Sequence, residues 1–398
     1  MKITSVECYK GPFIIIKINT DEGITGYGEA GLSYGSLQNA AFGACQDFGK
    51  LVIGMDPMDT EKIWEHLHRH TFWGMGGGAA VTAAQAAIDI ACWDIKGKYF
   101  NVPVYKLLGG KTHDKLRAYA SQLQMGWRKV IEKYDKSVLL FDPKDYAESV
   151  KDAMSEGYTA VKIDPVFAGL SAGDFQKQYL CRGDNLKGSY DEELKQIAVD
   201  RIAAAREAGG KNLDIIIELH ASLDANTAVT LGQALEPYRI MYYEEPTQPC
   251  NIQAFEHVYN KINLPIATGE RSYSRWGFSQ FFEKRLLSIA QPDICNTGGI
   301  TEGKKICDMA NIYDIGVQLH VCGGPIATAA ALQLETVIPN FVIHEEHCAN
   351  IKTEYVRAEK WHWAPVDGFY TVPEDRPGIG QEIPQDVLDK EYVRADVK

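Results

Sequence analysis

After Gly109-Gly110 the chain enters a repeat that few folds satisfy: short apolar, β-rich runs separated by helical stretches, eight times over. The runs are LRAYA (116–120), YTAVKID (158–164), DIIIEL (214–219), IMYYEEP (240–246), LPIATGE (264–270), LLSIAQPDI (286–294), IGVQLHV (315–321) and NFVIHEE (340–346). Their hydrophobicity is continuous instead of alternating, so both faces of each strand must be covered. Eight such strands with intervening helices predict an α/β chain whose residues 113–349 close into a parallel (β/α)8-type barrel, a modified TIM barrel.

Residues 1–112 read as a separate N-terminal α+β capping domain. FIIIKINTDEGITGYGEA has the pattern of a hairpin, with Asp21-Glu22-Gly23 as the turn. Helical stretches follow at about 37–51, 58–70 and 79–99. The last, AAVTAAQAAIDIACWDIKGK, is nearly free of polar residues in its middle, which predicts burial. Residues 350–398 carry strand and turn signals, DGFYTVP and PGIG, and are expected to pack back on the N-terminal unit. The connection over 166–189 is Gly-rich, polar and longer than barrel loops usually run. A lid that sets specificity and a plain surface insertion both fit it.

Barrel enzymes work at the C-terminal ends of their strands. The charged residues there are Lys162, Glu218, Glu244, Glu270, Asp293, His320 and Glu345. From Glu218 onward the steps are 26, 26, 23, 27 and 25 residues, one βα unit each, so the side chains converge on one mouth. Three carboxylates from adjacent strands supply oxygen ligands to a hard cation, and Mg²⁺ keeps further positions for water and substrate. Without a cation they would repel, and at least one would hold a proton. His320 comes one unit after Asp293. A carboxylate bonded to a histidine fixes its tautomer and raises its basicity, which makes His320 a candidate general base. His220 lies two residues past Glu218, so strand alternation points both to one side, where His220 can serve as a second acid or base.

Other features carry less. His66, His68 and His70 lack any pattern that completes a zinc site and are expected on a solvated or interface face. Gly76-Gly77-Gly78 reads as a flexible loop near the site or a helix-start linker. His344 and His347 flank Glu345 and read as packing around it. The net charge of −12, from 41 basic and 53 acidic residues, argues against a nucleic-acid partner. No apolar run approaches the roughly 20 residues of a membrane helix, and MKITSVECYKG lacks the apolar core of a signal peptide. Nine cysteines without a CxxC pair fit a reduced, cytoplasmic chain.

Together ELH, YYEEPTQP, IATGERSYSRWGF, IAQPDICNTGGITEGKKI and the strand-end histidine of QLHVCGGPIA resemble the enolase superfamily. GITGYGEA, IDIACWDIKGK and DGFYTVPEDRPGIG extend the resemblance over nearly the whole chain, and it points to the mandelate racemase subgroup. GERSYSRW and the spacing from His320 to Glu345 look most like galactonate and gluconate dehydratases. The resemblance implies Mg²⁺ on Glu218, Glu270 and Glu244, the first Glu of EEP. It implies an Asp293–His320 base, His220 as the acid for a departing hydroxyl, Glu345 as an acid bonded to the substrate carboxylate, and a homo-oligomer. Two positions depart from the pattern. The first ligand is Glu218 where the family often has Asp, and Lys162-Ile163-Asp164 stands where racemases carry Lys-x-Lys. The second racemase base is therefore absent, and Lys162 is expected to neutralise charge near the carboxylate.

The resulting expectation is Mg²⁺-dependent dehydration of a sugar acid, an aldonate such as galactonate or gluconate, to a 2-keto-3-deoxy acid. Mg²⁺, Lys162 and a protonated Glu345 would stabilise the enediolate. Three other outcomes fit the sequence: cycloisomerisation or epimerisation through the same enediolate, a non-catalytic binding protein, and an aldolase using Lys162 as a Schiff base. Substrate contacts are expected from the loops around Gly31–Gly35 and Phe72–Gly78 and from the 166–189 insertion. Tyr34, Trp73, Asp164, Arg182 and Arg271 are the candidates.

Overall fold

The computed structural model describes residues 1–128, 139–167 and 189–398. The N-terminal unit opens with three antiparallel strands, β1 (Ile3–Lys10), β2 (Ile14–Thr20) and β3 (Thr25–Ala30). Helices Gln38–Val52, Thr60–Arg69 and Ala79–Phe100 follow. Eight parallel strands come next: β4 (Leu116–Ser121), β5 (Ala160–Ile163), β6 (Asp214–Glu218), β7 (Tyr242–Glu244), β8 (Ile266–Thr268), β9 (Ile289–Ala290), β10 (Gly316–Val317) and β11 (His344–His347). They pair in chain order, and β11 pairs in parallel with β4, Glu345 beside Tyr119. The Val317 N–H donates to the Asn340 carbonyl (2.7 Å) and the Val342 N–H to the Val317 carbonyl (2.8 Å). These bonds join β10 to the residues entering β11 and close the ring.

Most strands are shorter than their apolar runs, so Glu218, Glu244, Glu270, Asp293 and His320 sit at or just beyond the last ladder bonds, while Lys162 and Glu345 lie within β5 and β11. Tyr119, Ile216, Tyr242 and Ile343 fill the barrel interior. Four barrel helices begin on an Asp or Asn whose side chain accepts a backbone N–H: Asp142 before Pro143–Ser155, Asp191 before Glu192–Gly209, Asp224 before Ala225–Leu235 and Asn251 before Ile252–Tyr259. Each satisfies a donor that the first helical turn leaves open.

After the barrel, β12 (Phe369–Tyr370) pairs antiparallel with β4. β13 (Val393–Val397) pairs antiparallel with β1, Val397 opposite Val6, so the end of the chain completes the N-terminal sheet in the order β13-β1-β2-β3. The helix Ala79–Phe100 is buried along most of its length, as its composition predicts. It lies against β3 so closely that a Cβ on Gly26 would sit 2.1 Å from the Ala91 carbonyl oxygen, and one on Gly28 1.8 Å from that of Ala87.

Buried carboxylates tie the two units together. Glu29 accepts the N–H groups of Gly324 (2.5 Å) and Ala327 (3.1 Å) at the start of the barrel helix Pro325–Glu335. Asp89 accepts from the Thr301 N–H (2.9 Å) and hydroxyl (2.5 Å) at the start of Gly299–Ile312. The helix N-termini favour an acceptor at both places, against burial that raises the Glu29 carboxyl to about 8 and that of Asp89 to about 7. These contacts set the loop after β3 over the barrel mouth, where the Gly31 N–H donates to the Cys295 carbonyl (3.1 Å).

Candidate active site

A cavity of about 320 Å³ opens between that loop and the C-terminal ends of the barrel strands. Glu218, Glu270, Lys162, Glu345, His220 and His320 all line it. Glu218, Glu244 and Glu270 each turn an oxygen into one cluster within 4.8 Å. Oε2 of Glu218 and Oε2 of Glu244 are buried and take no hydrogen bond among the described residues. Glu218 is anchored through its other oxygen, Oε1, which accepts the N–H groups of Leu219 (2.9 Å) and His220 (2.6 Å). Its longer arm is thus folded back on its own strand end. Burial and the neighbouring Glu218 charge hold the Glu244 carboxyl well above the usual carboxylate range. A pair of carboxylates in that state binds either a proton or a cation. The donor set is all oxygen, with Glu218 and Glu244 buried and Glu270 partly exposed, and fits a hard divalent ion such as Mg²⁺.

Lys162 lies under the cluster, its Nζ 2.9 Å from Glu345 Oε1, 3.1 Å from Glu244 Oε1 and 3.3 Å from Glu218 Oε2. Burial alone would lower its pKa, but Glu244, Glu345, Tyr119 and Glu218 outweigh it and raise the pKa well above that of a free lysine. The amine therefore has no lone pair to offer a carbonyl, which counts against Schiff-base chemistry. Glu345 differs from the expectation of a protonated acid. Its Oε1 accepts the Ser121 hydroxyl (2.7 Å) and faces Lys162, while Oε2 accepts the Val321 N–H (3.0 Å). Burial would raise its pKa, yet Lys162 and His320 hold it well below the usual range. With only donors around it, Glu345 is a carboxylate.

Two histidines stand across the mouth from each other. His320 follows β10 and His220 follows β6, four strands apart in a ring of eight. His320 Nδ1 lies 2.8 Å from Asp293 Oδ2, and Nε2 lies 3.0 Å from Glu270 Oε2. Asp293 is itself held by the Cys295 N–H (2.8 Å) and the Asn296 amide (3.0 Å). Burial disfavours charge on His320, but Glu270 and Asp293 outweigh it and raise its pKa well above the ordinary value. His220 Nδ1 lies 2.7 Å from Asp164 Oδ2. Burial lowers its affinity for a proton, while Glu218 and Asp164 more than restore it. His220 reaches the cavity by a route that strand alternation does not describe. β6 ends at Glu218, and the backbone turns left-handed at His220 (φ 47°) and Ala221 (φ 53°).

The chain matches the model of the mandelate racemase/muconate lactonizing enzyme N-terminal domain over residues 1–109 and that of the enolase C-terminal domain-like family over 145–387. The chain belongs to the enolase superfamily. Within it the match lies in the mandelate racemase group. A D-galactonate dehydratase of Pectobacterium atrosepticum is 33% identical over 98% of this chain and 94% of that protein. One from Cronobacter sakazakii is 31% identical over 97% and 93%. Among solved structures, an enolase superfamily member from Salmonella Typhimurium is 47% identical, covers all of both chains and superposes with a TM-score of 0.93. A mandelate racemase/muconate lactonizing enzyme from Jannaschia sp. CCS1 gives 27% identity and a TM-score of 0.86 over 99% and 98% of the two chains.

In this superfamily member the expected substrate contacts divide. Tyr34 and Arg271 line the cavity, and Arg271 also pairs with Glu245 and Glu270. Trp73 does not line it: its ring is 79% exposed and set edge-on to Phe72. Asp164 is buried behind His220 instead of on the cavity wall. Arg182, with most of the 166–189 insertion, lies outside the described residues. His68 is buried, not solvated, and stacks on both Trp64 and Trp276, each ring 4.9 Å away and the two Trp rings 6.3 Å apart. Gly77 and Gly78 adopt positive φ (63° and 99°), and Gly78 immediately precedes the helix Ala79–Phe100. His347, Gln122 and Asn296 also line the cavity, though nothing in the sequence analysis placed them there. His347 was legible from alternation, since it lies two residues past Glu345 on β11. His344, one residue before Glu345, turns away to Glu335 (2.6 Å).

Proposed function

We propose that this chain dehydrates an aldonate, a sugar acid such as galactonate or gluconate, to the 2-keto-3-deoxy acid. The chain is a hydro-lyase of the acid-sugar dehydratase kind; the aldonate and the roles below are our reading. The observation that carries it is the pair of histidines facing each other across one carboxylate cluster, each with a carboxylate on Nδ1. A divalent cation such as Mg²⁺, held by Glu218, Glu244 and Glu270, supplies concentrated positive charge for a bound carboxylate.

The C2 proton of a carboxylate is very weakly acidic, because its loss puts a second negative charge on the carboxylate oxygens. The Lys162 ammonium, which lines the cavity, stabilises that charge as it develops. Glu345 holds Lys162 in place. When Glu270 serves the cation instead of His320, Nε2 of His320 carries the lone pair and takes the C2 proton, while Asp293 keeps Nδ1 protonated. His220, on the opposite side, gives a proton to the C3 hydroxyl as the C3–O bond breaks and water leaves. The enol that remains takes up a proton at C3 and becomes the keto acid. Each positioned acid or base is worth roughly 10²–10⁴-fold.

The test is a panel of aldonic acids, galactonate and gluconate included, incubated with the Mg²⁺-loaded protein and semicarbazide. A semicarbazone is expected from at least one. A panel that yields none, while C2 hydrogen exchanges with solvent deuterium, would move the reading to epimerisation or cycloisomerisation. Neither product nor exchange would leave a binding protein.

A further inference from the structure

In a racemase the position of Asp164 belongs to a second base; here it holds a carboxylate with a different set of contacts. Asp164 is buried and bonded on every side. Its Oδ1 accepts the N–H groups of Val166 (3.0 Å) and Phe167 (2.8 Å), its own N–H donates to Gln124 Oε1 (3.1 Å), and Oδ2 lies 2.7 Å from His220 Nδ1. A carboxylate so tethered cannot rotate away from the ring it faces. The Phe167 ring, 6.0 Å from the imidazole, borders it further. His220 sits on left-handed backbone, which holds its Cα in place but leaves the ring free to turn about its own bonds. Asp164 removes that freedom. With Nδ1 committed, Nε2 is the nitrogen that takes no partner among the described residues, and His220 lines the cavity.

We infer that Asp164 is the positioning residue of His220: it fixes the ring by accepting its Nδ1–H, so that Nε2 and the proton it carries face the leaving group, and it takes no part in removing the C2 proton. The inference rests on the reading of His220 as the acid of the elimination. It assigns the two Asp–His pairs to separate steps. Asp293 serves proton abstraction through His320, and Asp164 serves departure of the hydroxyl through His220.

The experiment compares Asp164→Asn, Asp164→Ala, His220→Asn and the double variant Asp164→Ala/His220→Asn as Mg²⁺-loaded full chains with galactonate and gluconate. Dehydration should fall on the order of 10²-fold in Asp164→Ala with KM changed less than about threefold, the range of one positioned acid. Exchange of C2 hydrogen with solvent deuterium should persist. The double variant should be no slower than His220→Asn alone, because residues acting as one unit are not additive. A readout without turnover accompanies these. In protein labelled with ¹⁵N-histidine, the hydrogen-bonded Nδ1 proton of His220 should be present in the wild type and missing from His220→Asn and Asp164→Ala. Asp164→Asn, isosteric with the native residue, covers the case in which the alanine variant does not fold. The inference is overturned if Asp164→Ala dehydrates at the wild-type rate, if exchange falls as far as dehydration, if the two losses multiply in the double variant, or if the Nδ1 proton survives. If His220→Asn eliminates water at the wild-type rate, the reading of His220 itself fails, whatever Asp164 does.

Discussion

At the residue scale, the site is a balance of buried charges. Three glutamates that repel one another are held by Lys162 from below and, at Glu270, by Arg271 and His320. Such a cluster gains most from a cation that sits among the carboxylates. Glu244→Gln keeps the shape and removes one charge, and it should weaken Mg²⁺ or Mn²⁺ binding at least ~10-fold, since even outer contacts to a metal are worth that much. Calorimetric titration of the metal-free protein checks it; unchanged affinity would mean the ion sits elsewhere. His347 gives a prediction in pH. Burial pushes its pKa down from 6.5 to about 4. The unfolded chain therefore binds a proton there that the folded chain does not, across that interval. The stability His347 contributes is complete above pH 6.5 and is lost as pH falls toward 4, on the order of 3 kcal/mol over the window. His347→Asn should flatten the pH dependence of urea unfolding between those limits, and an unaltered slope would count against it.

At the scale of elements, the repeat was legible because a barrel strand buried on both faces must be apolar throughout, and each unit ends where polarity returns. That is why eight strands and seven of their terminal ionisable residues could be read off in order. Strand lengths could not: the apolar runs continue past the last ladder bond, as in LLSIAQPDI, where only Ile289–Ala290 pair as strand. The turn at His220 was hidden because left-handed backbone at a non-glycine residue leaves no mark in composition. Asp164 was misplaced for a related reason. Strand position shows which way a residue leaves the sheet, not which neighbour claims it. Gly26 and Gly28 of GITGYGEA, by contrast, have a plain cause in the helix laid on β3. Gly28→Ala would drive a methyl into the Ala87 carbonyl. It should cost about 1–3 kcal/mol or more, as overpacking does, read as a lowered urea midpoint. A change under a few tenths would show the helix free to move.

At the scale of the whole molecule, the capping unit and the barrel are one construction. The last strand, β13, lies in the first sheet, and Glu29 reaches from β3 to a barrel helix. Glu29→Ala would strand the buried N–H groups of Gly324 and Ala327, each worth about 1–3 kcal/mol unpaired. It should destabilise the protein by about 2 kcal/mol or more and raise KM, because the loop that roofs the cavity follows directly from β3. Loss of stability with KM untouched would separate the roof from the substrate.

The account as a whole turns on two histidines dividing one reaction between them. The most direct measurement follows the C2 hydrogen and the product together, in deuterated water, for the Mg²⁺-loaded wild type, His320→Asn and His220→Asn with an accepted aldonate. The account predicts that His320→Asn neither exchanges C2 hydrogen nor forms keto acid, while His220→Asn exchanges the hydrogen and forms keto acid ~10²-fold or more slowly. Exchange that persists in His320→Asn, or keto acid formed at the wild-type rate by His220→Asn, would contradict it.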